Sequence, residues 1–144
     1  MGDAQMIWRA AAFVILSAIP VMAIAEPDRD CRIRLEFSSD NTGSVANYIL
    51  TLQIKNTLGR AVRGVSVKYF DGTAAQLGNT EMVCPGSIGE GIVPGSHGEC
   101  WTQLQKVDGN LLDKFGTEMW TAIVNTQLIQ LESIRKCKVL GFAY

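Results

Sequence analysis

The chain has 144 residues, 13 of them Lys or Arg and 14 Asp or Glu, for a formal net charge of −1. That balance, with a sequence pI near 5.8, excludes a strongly basic nucleic-acid binder and a polybasic membrane-surface protein. At 47% apolar and 19% charged residues the composition is globular rather than disordered, and the length suits one domain.

The first segment reads as an export signal. Arg9 precedes an apolar run from Ala10 to Ile19, Pro20 interrupts it, and Val21-Met22-Ala23-Ile24-Ala25 ends in an Ala-x-Ala pattern. A basic flank, an apolar stretch and small residues at −3 and −1 are the three parts of a secretory signal peptide. The spacing predicts cleavage after Ala25, dividing the chain into a 1–25 signal peptide and a 26–144 β-sandwich domain. An uncleaved anchor is the competing reading, but Ala10 to Ala25 is shorter than the ~20 residues a spanning helix needs and contains a proline. Asp3 is out of character in a basic flank, and Met6 is an alternative start.

Cys31 to Phe37 then alternates apolar and charged residues, with Cys31, Ile33, Leu35 and Phe37 on one face. Ser38 to Gly43 is a turn cluster. Tyr48 to Lys55 alternates again and ends at the Asn56-Thr57-Leu58-Gly59 turn, and Val65 to Phe70 forms a third strand closed by Asp71-Gly72. A short strand approaches Cys84 through Met82. Pro85 to Gly98 is rich in proline and glycine and reads as an irregular loop. Alternation resumes from Cys100 to Val107, followed by an Asp108-Gly109 turn and a helical turn within Leu111 to Glu118. Met119 to Leu131, with Trp120, Ala122, Val124 and Leu128 on one side, reads as another strand, and Arg135 to Phe142 as the last.

All four cysteines, Cys31, Cys84, Cys100 and Cys137, follow the signal, and an even count in an exported chain implies two disulfides. Cys84–Cys100 would close the glycine-rich loop and Cys31–Cys137 would tie the first strand to the last. The second, across ~100 residues, is worth roughly 4 kcal/mol in the chain-entropy model. A metal site is disfavoured, because the cysteines lack close paired spacing and His97 is the only histidine. No asparagine opens an N-x-S/T sequon, in keeping with a bacterial source. The expected fold is all-β: an immunoglobulin-like two-sheet sandwich of about seven strands, stapled by disulfides, with a closed barrel as the alternative.

Asn47 to Trp101 resembles the FxLYD-type immunoglobulin-like domains of exported bacterial proteins. The resemblance rests on Leu50-Thr51-Leu52-Gln53-Ile54-Lys55-Asn56-Thr57 before a glycine turn and on Val65-Ser66-Val67-Lys68-Tyr69-Phe70-Asp71-Gly72. Gly91-Ile92-Val93-Pro94-Gly95-Ser96 is similar to the family's I-x-P-G step. It covers under half of the chain, implies an extracytoplasmic sandwich module, and carries over no catalytic residues. The two disulfides and the long Pro85 to Gly98 loop depart from it.

The sequence offers little chemistry. A Ser-His-Asp or Cys-His mechanism would have to use His97, with Ser96 and Glu99 beside it, yet neighbours in a loop rarely have the rigidity a triad requires. Glu90, His97 and Glu99 form at best a weak surface metal site. The loop glycines match neither phosphate-binding fingerprint. Glu81, Asp108, Asp113 and Glu118 lie near turn signals, where acids are ordinary. Arg135-Lys136-Cys137-Lys138 reads as the solvated side of an edge strand, and core packing is the default for Trp101 and Trp120.

These features favour a non-enzymatic module with no catalytic residue, no metal and no cofactor. The expected protein is periplasmic or secreted and partners another protein of the envelope or of a host, with no nucleic acid and no membrane span once the signal is removed. Ser87, Glu90, Ser96, His97 and Glu99 form the candidate binding loop, and an exposed sheet edge is a second contact region. A small secreted hydrolase and a secreted effector or inhibitor are the alternatives.

Overall fold

The computed structural model describes residues 28–144, so the expected signal segment lies outside the described residues. Six strands and one helical segment follow in the order β1 (Arg29–Asp40), β2 (Gly43–Lys55), β3 (Gly64–Asp71), β4 (Gln76–Val83), β5 (His97–Val107), α1 (Asn110–Leu131) and β6 (Ile134–Ala143). The strands are antiparallel and close into a barrel in the order β1-β2-β5-β4-β3-β6. The alternating pattern places Tyr48, Leu50, Leu52 and Ile54 of β2 inside, with Cys31 of β1, Val65 and Val67 of β3, Met82 of β4 and Cys137 and Val139 of β6. Arg32, Arg34 and Glu36 alternate outward on β1.

The six seams of the barrel are unequal. β1 pairs with β2, and β2 with β5, over ten positions each; β3 pairs with β4 over seven and with β6 over eight. The remaining two seams are thin. β1 meets β6 only at Arg29↔Cys137 and Asp30↔Lys136, and β4 meets β5 only at Val83↔Trp101. The molecule is therefore built from two well-paired three-stranded halves, β1-β2-β5 and β4-β3-β6, joined along two short ladders. The expected two separate sheets of about seven strands are replaced by one closed sheet of six. Closure satisfies edges that a sandwich would leave bare.

Both expected disulfides are formed, and each lies at a thin seam. Cys31–Cys137 joins β1 to β6 with Cα atoms 5.7 Å apart, and Cys84–Cys100 joins the end of β4 to β5 with Cα atoms 4.2 Å apart. All four half-cystines are buried among the core residues.

The Met119 to Leu131 stretch, expected to be a strand, lies in a helix instead. Trp120, Val124 and Leu128 are four apart, a spacing that fits a period of two and a helical turn equally well. The deciding positions are their neighbours: Ala122 and Thr126, inward in a strand, are exposed, whereas Ile123 and Leu131 are half-buried. Gly116, at φ +82°, breaks α1 into a short first piece and a longer second one. The second piece seats Trp120, Val124, Leu128 and Leu131 against Tyr48, Ala46, Ile33 and Leu35 on the inner face of the β1–β2 hairpin. The fully buried Tyr48 hydroxyl donates to the Val124 carbonyl at 2.8 Å, and burial pushes its phenol pKa above the ordinary value. Trp120 Nε1 donates to the Asp108 carbonyl at 3.2 Å, and its ring lies 6.2 Å from that of Phe37. No helix among the described residues is long and apolar enough to cross a membrane.

Candidate functional site

The loop between β4 and β5 is shorter than the sequence suggests and is tightly lashed. His97 and Gly98 belong to β5, paired with Lys55 and Ile54, so the irregular stretch runs from 84 to 96. Its first turn closes through Gly91 N–H to the Pro85 carbonyl at 2.8 Å. A Cβ on Gly86, at φ +68°, would lie 2.0 Å from the Gly91 oxygen, so this turn admits only glycine. Ile92 exchanges backbone hydrogen bonds with Val62 at 2.8 and 3.0 Å, which fastens the loop to the segment before β3.

Asn56 organises the rest. It is buried, its Nδ2 donates to the Ile92 carbonyl at 2.6 Å and the Arg60 carbonyl at 2.8 Å, and its Oδ1 accepts from Leu58 N–H at 2.9 Å. Its own N–H donates to the Ser96 carbonyl at 2.9 Å, and its carbonyl accepts from Gly95 N–H at 2.7 Å. One amide side chain thereby ties two loops together and supplies partners to backbone groups at the core's end. The sequence reading gave Asn56 only a turn role. Its position directly after four inward-facing β2 residues, where the next polar side chain enters the core end, was the available signal.

The five candidate loop residues occupy four separate surroundings. Ser87 and Glu90 are exposed at the loop's tip, Ser96 is half-buried, and His97 is exposed at the start of β5. Glu99 belongs to a charge lattice on the outside of the barrel: its carboxylate accepts from Arg34 Nη1 at 3.0 Å and from Gln53 Nε2 at 3.0 Å, while Arg34 Nε donates to Glu36 at 2.6 Å. The hydrogen bond from Arg34 to Glu99 contributes most to holding the guanidinium pKa above its usual value. No hydrogen bond or ion pair joins Ser96, His97 and Glu99 to one another. Among the described residues, no three His, Cys, Asp or Glu side chains are grouped so as to hold a metal ion.

The other acids are equally dispersed. Asp108 accepts from Asn110 N–H at 3.0 Å and Asp113 lies in the first turn of α1, where a carboxylate suits the helix dipole. Glu81 lies on β4 and Glu118 on α1, both exposed. Lys136 forms an ion pair with Asp30 beside the β1–β6 seam.

The tryptophans divide. Trp120 packs into the helix–hairpin interface, but Trp101, expected in the core, lies on the outer face and is 38% exposed. Alternation explains it: Cys100 points inward to its disulfide, so its neighbour must point outward. Val83, which precedes Cys84 by the same logic, is 52% exposed and is the β4 partner of Trp101. The Trp101–Val83 pair thus forms an exposed apolar spot on the thin β4–β5 seam. Thr51 is directly across from Trp101 on β2, and Glu99, Gln103 and Glu81 are the same-face neighbours two positions away. Immediately beyond the disulfide, the rigid loop presents Ile88, 70% exposed.

Pro85, Trp101 and the other loop and seam residues find no counterpart to lean on: no family model matches the chain, and no curated protein or solved structure matches it.

Proposed function

We propose that this protein is an exported, non-enzymatic, disulfide-stapled β-domain that binds another protein of the cell envelope or of a host through the Trp101–Val83 face and the adjoining loop. The observation that carries the reading is the exposed Trp101–Val83 pair, framed by polar neighbours and held beside a loop whose backbone is fixed by Asn56 and a disulfide. Large aromatic side chains ringed by polar groups are the usual anchors of protein interfaces, and rigid presentation lowers the entropy lost on binding. Two disulfides are compatible with an extracellular protein. The signal-like 1–25 segment and the likeness of Asn47 to Trp101 to FxLYD-type domains support the same destination.

Cross-linking in intact cells, followed by mass spectrometry without reduction, tests this directly by reporting neighbours and the mature N-terminus together. A specific protein neighbour is expected for the wild type, with its recovery reduced at least about tenfold by Trp101→Ala, as for the loss of one interface anchor. Equal recovery with Trp101→Ala, or a mature chain still in the cytosol, would sink the proposal.

A further inference from the structure

The β1–β6 ladder ends at Asp30↔Lys136, and beyond that pair the two strands part. They leave a cleft of about 400 Å³ lined by Cys31, Arg32, Ile33, Glu132, Ile134 and Arg135. That volume falls within the roughly 300–1,000 Å³ of small-ligand sites. Cys31 is tied across to β6 by its disulfide to Cys137, which holds the bordering strands at a fixed separation. On β6, Lys136 pairs with Phe70 and Ile134 with Asp71, so Arg135 between them is the extra residue of a β-bulge. A bulge re-aims a side chain, and the one re-aimed here lines the cleft.

Three of the six lining residues are charged, and none of the three is paired. Arg32, Glu132 and Arg135 border one space, yet among the described residues their side chains enter no hydrogen bond or ion pair. Arg34, two positions along the same strand, is by contrast fully engaged by Glu36 and Glu99. Asp30 and Lys136 at the end of the ladder pair with each other. The cleft therefore offers two guanidinium groups and one carboxylate. A guanidinium forks a carboxylate through two parallel hydrogen bonds. Glu132 is the C-cap of α1, whose last turn holds no basic residue. The partial negative charge of that helix end adds to Glu132 in attracting a cation.

We propose that this cleft binds an acidic α-amino acid, glutamate or aspartate, with one carboxylate facing each arginine and the ammonium group facing Glu132. Such a ligand, with two negative charges and one positive, leaves none of the three protein charges unmatched. Arg32, Glu132 and Arg135 are all exposed, so water competes for each contact and the affinity is modest.

Isothermal titration calorimetry on the purified full chain at low ionic strength tests it, with glutamate, glutamine, N-acetylglutamate and inorganic phosphate as probes. Glutamate should bind with a Kd between about 10 µM and 1 mM. Glutamine lacks one carboxylate and N-acetylglutamate lacks the ammonium group, so each should bind at least about tenfold more weakly. Arg32→Ala and Arg135→Ala should each weaken glutamate binding at least about tenfold, with circular dichroism confirming the fold. Glu132→Gln should remove the preference for glutamate over N-acetylglutamate. No binding of glutamate at about 10 mM overturns the proposal. So does phosphate bound as tightly as glutamate, equal binding of glutamate and N-acetylglutamate by the wild type, or an affinity unchanged in Arg135→Ala. The cleft and Trp101 lie at opposite seams of the barrel, so Trp101→Ala should leave the titration unchanged and the two readings fail separately.

Discussion

The long ladders and the thin seams of this barrel hold strands together by different means. Along β1–β2, β2–β5, β3–β4 and β3–β6 the backbone does the work, with seven to ten paired positions each. At β1–β6 and β4–β5 two pairs and one pair remain, and a disulfide lies beside each. The β5 strand carries a bulge at Leu104, where Tyr48 pairs with Gln105 and Ile49 with Gln103. A bulge bends and twists its strand, which accounts for β5 leaving β4 just above Trp101. Covalent closure thus occurs where hydrogen-bonded closure is thinnest, and the two halves need the staples more than either half does internally.

Breaking the staples one at a time is the severest test of that contrast. Replacing Cys31 and Cys137 together with alanine opens a closure spanning 106 positions and should cost about 4–5 kcal/mol, whereas the Cys84/Cys100 pair, spanning 16, should cost about 3 kcal/mol. Denaturant titration of both double variants measures the difference. In each case hydrogen exchange should rise first at the seam that lost its disulfide, while the β1–β2 amides stay protected. Equal exchange across all six seams would mean that the halves are not separate cooperative units.

The β4–β5 closure has a buried second fastening, where the β1–β6 closure has only the exposed Asp30–Lys136 ion pair. Asn56 holds the loop through its hydrogen bonds to Ile92, Arg60 and Leu58. Asn56→Ala removes the hydrogen bonds to the Arg60 carbonyl and the Leu58 N–H and one of the two donors to the buried Ile92 carbonyl, and should cost roughly 1–3 kcal/mol. Added to the Cys84/Cys100 double variant, it should cost more than the two separate losses, because each fastening then limits the damage from losing the other. Simple additivity in the same titration would show the two fastenings to be independent.

The disulfide pairing was legible because one pair flanked the glycine-rich loop and the other flanked the ends of the strand region. β1, β2, β3 and β6 were legible from unbroken alternation. The 117–131 helix was not, since Trp120, Val124 and Leu128 satisfy two periods at once and β-branched Ile123 and Val124 tipped the balance toward a strand. Sheet closure depends on twist and register, which residue types at one strand do not encode. The outward position of Trp101 could have been read from its neighbour Cys100, whereas His97 and Glu99 share one face of β5, yet the Glu99 carboxylate is taken up by Arg34 and Gln53 and Ser96 lies outside the strand.

Acid should discriminate between the two thin seams by the smallest effect of all. Asp30 lies at the β1–β6 ladder, and its carboxyl is held below the ordinary value of 3.8 mainly by the hydrogen bond and charge of Lys136. A depressed folded pKa means that the contribution is fully present above the unfolded value and is lost as pH falls through the folded one. Stability should therefore be level from neutral pH to about 5 and decline below about 4. Asp40 and Asp71 add to this limb, since Thr42 and Thr73 hydrogen bonds lower them at the two hairpin turns. Asp30→Asn should be slightly less stable than wild type at pH 7 and should converge on it in acid, with exchange at the β1–β6 seam converging likewise. Because the pair is solvent-exposed, raising the salt concentration should shrink the gap at pH 7. If Asp30→Asn runs parallel to wild type over the whole range, the ion pair does nothing for the seam, and the Cys31–Cys137 disulfide and the two backbone pairs close it without it.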